Sequence, residues 1–365
     1  MSTRILVINI GSTSSKIAIY DDQKALFTSS ISHSREELSK FADVMDQYEW
    51  RKDLILKELE KNRIDPATIG AIACRGGLLP PPKVGLVNAG AYEINDDMLY
   101  VLRYHPQNPH PTNMGAAIAD SFAKDWHIKA YIYDPPTVDE MIPITKITGQ
   151  PGMTRRGQGH PLNMRAAALK YAKSIGKPYE SLNLAIVHLG GGITLSLHSG
   201  GKMIDFITDD EGPFAPERSG GLPGFQLAAV VANNHWTEKE ALDFMQRRGG
   251  LKAYFNTVDS RDVEAMIDQG DQRAELVYHA MALNVAKNLA KLAVTVSGNL
   301  DQIILTGGIA FSKRFTGWVT DYVKFIAPVT IIPGENEIEA LALGILRVVR
   351  GEETAQIYVK QDYQD

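Results

Sequence analysis

One cysteine, Cys74, stands in 365 residues, and every long apolar run is broken by glycine or charge within the length of a strand. A lone cysteine excludes an intrachain disulfide framework and a multi-cysteine metal site. Its scarcity fits a reducing cytoplasm, and its context reads as the buried end of a strand rather than a nucleophile. MSTRILVINIGS has no hydrophobic stretch leading to a small-residue cleavage site, and no segment is apolar over the length of a spanning helix. The sequence therefore predicts neither a membrane span nor export. Charge of one sign is scarce too. Lys and Arg number 38 against 43 Asp and Glu, a net of −5 with no long basic run. That leaves no electrostatic footprint for nucleic acid or an anionic membrane surface. At 44% hydrophobic, a chain of this length buries a large core and is expected to form two lobes.

What the chain does have is a repeat. LVINIGSTSSKIAIYD from Leu6 to Asp21 and AIVHLGGGITLSLHSGG from Ala185 to Gly201 share one pattern about half the chain apart. Each reads as an apolar strand, a small-residue turn opening at Gly11 or Gly190, and a second strand, which is a hairpin signal. Glycine lets backbone approach a ligand closely, and Ser12, Thr13, Ser14 and Ser15 add hydroxyl and N–H donors. Gly190, Gly191 and Gly192 do the same without side chains. Two such turns suit a polyphosphate held between duplicated domains.

Strands are expected at Ile5 to Asn9, Lys16 to Tyr20 and Leu26 to Ser30, then a charged helical stretch from Ser34 to Asn62. Further strands fall at Ile69 to Cys74 and Ala130 to Tyr133. The segment from Asp134 to His160, rich in Pro, Gly and Thr, reads as a long functional loop or short helices between lobes. After a helix from Leu162 to Ala172 the order recurs, with strands at Leu184 to His188, Thr194 to His198, Met203 to Ile207, Gln302 to Leu305 and near Val329 to Ile332. A final helix from about Asn336 to Val349 puts Ile338, Leu341, Ile345, Leu346 and Val349 on one side.

The doubled hairpin together with LTGGIA, Leu305 to Ala310, resembles the sugar kinase, actin and Hsp70 group of ATP-binding proteins. In that group both hairpin turns hold phosphates, and a later glycine pair, here Gly307 and Gly308, lies near the adenosine. Within the group the chain resembles the acetate and butyrate kinase family over nearly its whole length. Asn9-Ile10-Gly11-Ser12-Thr13-Ser14-Ser15-Lys16 matches the signature N-x-G-S-[ST]-S-x-K. Cys74-Arg75-Gly76-Gly77-Leu78-Leu79, His110-Pro111-Thr112-Asn113-Met114-Gly115, Asp134-Pro135 with Val138-Asp139-Glu140-Met141, and His188-Leu189-Gly190-Gly191-Gly192 follow in the family's order. Arg218-Ser219-Gly220 and Gly334-Glu335-Asn336-Glu337 complete it. The RGGLL, DPPTVDEM and HLGGG forms look more like the butyrate kinase or branched-chain fatty acid kinase branch. Val87-Asn88-Ala89 and Arg155-Arg156-Gly157-Gln158-Gly159-His160 depart from that branch's pattern.

The resemblance implies an α/β fold of duplicated RNase H-like, actin-like ATPase domains with an interlobe nucleotide cleft. Residues 1–150 would form the first lobe, 151–182 a connection, 183–350 the second lobe and 351–365 a partly solvated tail. It also implies reversible phosphorylation of a short-chain carboxylate by ATP with Mg²⁺, ADP and an acyl phosphate being the products, and a homo-oligomer, most simply a dimer. Chemistry makes the matched residues sensible. A carboxylic acid is already ionised at neutral pH, so no general base is needed. An anion must, however, attack an anionic phosphoryl group, so catalysis depends on positioning and charge neutralisation. Arg75 and Arg218, each before glycines, suit two-pronged grip of a carboxylate or phosphoryl group.

His188 would donate to the transferring phosphoryl group and His110 matches the family's second histidine. Asp134 matches its catalytic aspartate. Mg²⁺ prefers few carboxylates plus water and phosphate oxygens; the resemblance points to Asn9 and Glu337 for it, with Glu335 the competing acid. Lys16 supports the first loop. Leu78, Leu79, Pro80 and Pro81, with Met141, are candidates for the acyl-tail pocket. Which acid from acetate to valerate is preferred does not follow from sequence, because one methylene changes selectivity by only about 1 to 3 kcal/mol. An acetate or propionate kinase, another phosphotransferase of the fold such as a sugar kinase or polyphosphatase, and a non-enzymatic ATP-binding sensor are the competing readings. A sugar kinase would need a base facing a hydroxyl, and a sensor would have no use for Arg75, His188 and Arg218 together.

Overall fold

Four consecutive residues of the first strand, Ile5, Leu6, Val7 and Ile8, are fully buried, so this strand lies inside a sheet covered on both faces rather than showing the alternation of a half-buried one. Each contributes about 1.5 to 3 kcal/mol by leaving water. The computed structural model describes residues 3–363. Contacts group the chain into two units, the first running to Asp139 and resuming at Asn336, the second being Glu140–Glu335.

In the first unit, β1 (Arg4–Ile10), β2 (Ser14–Asp21) and β3 (Lys24–Ser32) form an antiparallel meander, and β4 (Ala71–Arg75) and β6 (Lys129–Tyr133) add parallel to β1. The short β5 (Ala91–Glu93) and β12 (Gln356–Ile357) extend the sheet to seven strands, ordered β12-β5-β6-β4-β1-β2-β3. In the second unit, β7 (Leu184–Leu189), β8 (Ile193–Ser199) and β9 (Lys202–Ile207) repeat the meander, while β10 (Gln302–Gly307) and β11 (Val329–Pro333) repeat the parallel pair, in the order β11-β10-β7-β8-β9. The duplication extends to irregularities. The second and third strands of each meander shift register at matching places, Ile19/Tyr20 and Leu197/His198. The turns differ by one residue, since Ile10 pairs with Ser15 but Leu189 with Ile193.

Several sequence expectations need redrawing. Residues 151–182 are not a connection but belong to the second unit, where helix Pro161–Ser174 packs on β7 and β10. Helix Glu337–Val349 belongs to the first unit, buries Leu341, Ile345 and Leu346 against β1 and β4, and leaves Val349 exposed. The stretch from Ser34 to Asn62 breaks into Arg35–Leu38, a 3-10 turn Val44–Gln47 and helix Tyr48–Lys61, because the Asp43 carboxylate accepts from the Met45 N–H and starts a new turn.

The segment after Gly351 is built into the sheet edge. β12 pairs parallel with β5, Tyr358 is buried with its hydroxyl donating to Pro80 O at 3.1 Å, and Glu353 accepts from the Tyr133 hydroxyl and the Arg347 guanidinium. Gln364 and Asp365 lie outside the described residues. Cys74 is fully buried, and burial pushes its thiol well above the ordinary range, which removes it as a nucleophile. Among the described residues no helix is long and apolar enough to cross a membrane.

Candidate active site

The turn between β1 and β2 is held from beneath by a residue the sequence reading did not single out. Arg51, on helix Tyr48–Lys61 and wholly buried, donates through Nη1 to Gly11 O at 3.0 Å and Ser14 O at 3.4 Å, and through Nη2 to Ser12 O at 3.1 Å. The His33 N–H takes Thr13 O at 2.8 Å, and the Gly11 N–H closes on Ser14 O at 2.8 Å. All four turn carbonyls are thus engaged within the protein. Because C=O and N–H point opposite ways across a trans peptide, the N–H groups of Ser12 and Thr13, whose peptide carbonyls face Arg51, are directed away from it, alongside the exposed Ser12 and Thr13 side chains.

Next to this turn three predicted residues converge. Asn9, 5% exposed at the end of β1, donates through Nδ2 to Glu337 Oε2 at 2.8 Å, and Arg75, ending β4, donates through Nη1 to the same oxygen at 3.1 Å. Glu337 opens helix Glu337–Val349, where the helix dipole favours a carboxylate. Lys16 lies opposite Asn9 in the β1–β2 register with an exposed side chain.

His110 caps the turn Pro111–Asn113, its Nδ1 accepting from the Thr112 N–H at 3.1 Å, so the neutral ring carries its proton on Nε2, 3.5 Å from Ser12 Oγ. Burial, then the guanidinium groups of Arg75 and Arg51, hold its pKa below the ordinary value. Asp134, one residue past β6 at φ 42° and almost fully buried, accepts from the Gly90 N–H at 2.6 Å and donates its own N–H to Gly90 O at 3.1 Å. It is therefore tied to the loop before β5.

In the second unit His188 is the penultimate residue of β7, with 1% exposure. Asn163 Nδ2 donates to its Nδ1 at 2.9 Å, which places the proton of the neutral ring on Nε2, 3.5 Å from Glu335 Oε1. The glycine turn that follows is shaped by its neighbours. A Cβ at Gly190 would lie 2.7 Å from His188 Nε2, and one at Gly192 would lie 2.5 Å from Arg218 Nη1. Gly192 is thus the space in which the Arg218 guanidinium rests, paired with Asp209. Gly191 is exposed and has nothing within 4 Å of where a Cβ would be. Gly307 ends β10, bonded in both directions to Gly334, and Gly308, itself exposed, begins a short turn that buries Ile309 and Ala310.

His160 belongs to the stretch from Arg155 that departs from the branch's pattern, and the sequence assigns it no role. Its ring stacks on His188 at 3.8 Å between centroids and 7° between planes, and its Nδ1 lies 3.1 Å from Thr194 Oγ1. The available signal is Pro161, which marks a helix start and puts His160 at the helix N-terminus beside the strand that carries His188. Of the candidate acyl-tail residues, Leu79 and Met141 are buried and Pro81 is exposed.

Asn9 and Glu337 offer one carboxylate and one amide carbonyl. Among the described residues no group of three or more His, Cys, Asp and Glu is arranged to hold a metal. That sparse donor set fits a cation carried largely by water and phosphate oxygens, as Mg²⁺ is.

The pattern of the Acetokinase family matches residues 145–316. Butyrate kinase 1 of Clostridium acetobutylicum is 42% identical over 97% of this chain and 99% of its own length. Butyrate kinase 2 of the same organism is 41% identical over 98% and 100%. Among solved structures, acetate kinase of Porphyromonas gingivalis superposes with a TM-score of 0.78 at 16% identity, covering 95% of this chain and 100% of its own. A propionate kinase of Francisella tularensis gives 0.75 at 18%, covering 94% and 98%. At those identities the structures establish the shared two-domain α/β fold.

Proposed function

The chain belongs to the acetokinase family, and from that premise we propose that it transfers the γ-phosphoryl group of ATP to a short-chain carboxylate of the butyrate class, reversibly and in line. The relatives similar over nearly the full length bear the name butyrate kinase, which supports an acid larger than acetate. The observation that carries the reading is the meeting of Asn9 and Arg75 on one oxygen of Glu337, next to a turn whose Ser12 and Thr13 N–H groups face outward.

The acceptor carboxylate is its own nucleophile and arrives ionised, so the residues around it need only orient it and offset charge. Arg75 grips the acceptor or the transferring group through its fork of donors, and Arg218 stabilises the equatorial oxygens of that group. His110 and His188, each with its proton on Nε2 when neutral, donate there to phosphoryl oxygens without surrendering a proton. Asp134 holds the loop at Gly90 in place. The N–H groups of the Gly11 and Gly190 turns cradle phosphates, with Gly307 and Gly308 near the adenosine and Lys16 supporting the first loop. Asn9 and Glu337 would hold Mg²⁺, which when bound neutralises phosphate charge.

A homo-oligomer is part of the same proposal. Helix Gly224–Asn233, GFQLAAVVAN, buries none of its residues in the single chain, and Phe225 is 97% exposed. A second copy covering it would bury that surface; light scattering at micromolar concentration tests this, and a monomer would refute it. The single buried Cys74 suits a cytoplasmic setting.

The reaction is tested by kcat/KM for a panel of straight and branched acids from acetate to valerate. A maximum at butyrate or a branched acid supports the assignment, and a maximum at acetate moves the substrate to the shorter acid.

A further inference from the structure

Arg51 is an anomaly for a folded protein. Its side chain is completely buried, yet among the described residues no carboxylate pairs with it. Its donors go to three turn carbonyls, to Ser15 Oγ at 3.2 Å and to Gln47 Oε1 at 3.0 Å, all neutral. Its neighbour His33 is held neutral by burial and by the guanidinium itself, with a pKa of about 4, so it neither compensates the charge nor adds a second positive one. Burial lowers the Arg51 pKa only to about 10, so the guanidinium stays charged at neutral pH. A buried cation left without a counter-ion is costly, and proteins keep one where an anion completes it.

The geometry says where that anion belongs. Arg51 draws the Gly11 and Ser12 carbonyls toward itself and leaves the Ser12 and Thr13 N–H groups on the opposite side, so the charge and the amide dipoles add on the outer face of the turn. We propose that Arg51 is a positioning residue for phosphate binding, fixing the turn from Gly11 to Ser14 with the Ser12 and Thr13 N–H groups outward and taking the bound nucleotide's phosphate charge as its missing counter-ion. This deepens the nucleotide-site reading above and rests on it. The competing possibility is that Arg51 merely braces the hairpin.

Titration calorimetry with adenosine, ADP and ATP on the whole protein separates the two, using wild type, Arg51→Gln and Arg51→Lys. Arg51→Gln removes the charge and keeps amide donors. It is expected to weaken ATP at least about tenfold while leaving adenosine within about twofold, since only the nucleotide brings phosphate to the turn. Arg51→Lys keeps the charge and is expected to recover most of the lost ATP affinity. A fall of adenosine and ATP together with a large drop in melting temperature, or ATP affinity unchanged in Arg51→Gln, overturns the proposal. If Arg51→Gln does not fold, the ratio of ATP to adenosine affinity in Arg51→Lys decides: a ratio close to wild type supports the charge, and its collapse refutes it. The series reads binding, so it remains decisive even if wild type forms no acyl phosphate, the result that would sink the proposed reaction instead.

Discussion

The Asn9 side-chain amide donates to Glu337 Oε2 at 2.8 Å across a separation of 328 residues, so the first motif of the chain and the last are neighbours within one unit. Arg75 joins them on the same oxygen, so one carboxylate oxygen accepts from two donors that come from separate strands.

Glu337→Gln keeps the size of that side chain and removes its charge. Hydrogen bonds to charged groups are worth about 1.5 to 3 kcal/mol, so releasing Asn9 and Arg75 is expected to lower kcat by tenfold or more while the melting temperature moves by only a few degrees. Steady-state kinetics beside calorimetry check it. Unfolding without a prior loss of turnover would make Glu337 a structural cap only.

Gly192→Ala adds a single methyl where the Arg218 guanidinium now rests, 2.5 Å from Nη1. The variant is expected to lose turnover about as much as Arg218→Ala, roughly a hundredfold or more, as removal of one charge-stabilising donor commonly does. Arg218 has a side chain 34% exposed, so Arg218→Ala should disturb folding little. Full activity in Gly192→Ala would show that Arg218 does not act from this position.

Acid should destabilise the second unit through His198. Fully buried between the Tyr179 hydroxyl and Ser196 Oγ, its imidazole is held down to about 3 by burial and then by Arg165. An unfolded histidine titrates near 6.5, so between about pH 6.5 and 3 the unfolded chain binds a proton that the folded chain refuses. The stability is fully present above that window and is lost as pH falls through it, by about 2 kcal/mol at pH 5. Urea unfolding at pH 7 and pH 5 should show this loss in wild type and a smaller one in His198→Asn. Equal losses would place the acid sensitivity elsewhere.

Tyr358→Ala tests whether the C-terminal segment is structural. Deleting a wholly buried aromatic is expected to cost about 3 to 5 kcal/mol, and Tyr358→Phe, which strands Pro80 O, about 1 to 2 kcal/mol. Denaturant midpoints measure both. A change under about 0.5 kcal/mol for Tyr358→Ala would mean that the segment is dispensable.

The doubled meander was legible because strands and turns are written locally: glycine and serine at Gly11 to Ser15 and at Gly190 to Gly192, apolar runs on either side. The partners of those turns were not. Arg51 is one of many charges in YEWRKDLILKELEK, where nothing local sets it apart, and only the tertiary approach of that helix to the hairpin buries it. Helix Glu337–Val349 follows the second unit in sequence and packs in the first, a long-range choice that periodicity does not encode. β12 is two residues long, too short to show alternation, and its pairing comes from an available edge at β5. His160 was hidden because a loop rich in glycine and proline carries no period, although the stacking on His188 is short and direct.

The most direct measurement is ³¹P NMR of the wild-type protein with Mg²⁺, ATP and butyrate. The carboxylate kinase assignment predicts an acyl phosphate resonance growing at the rate ADP appears, and its reversal to ATP when butyryl phosphate and ADP are supplied instead. ATP that binds but yields no acyl phosphate with any acid from acetate to valerate, or yields inorganic phosphate alone, would contradict it.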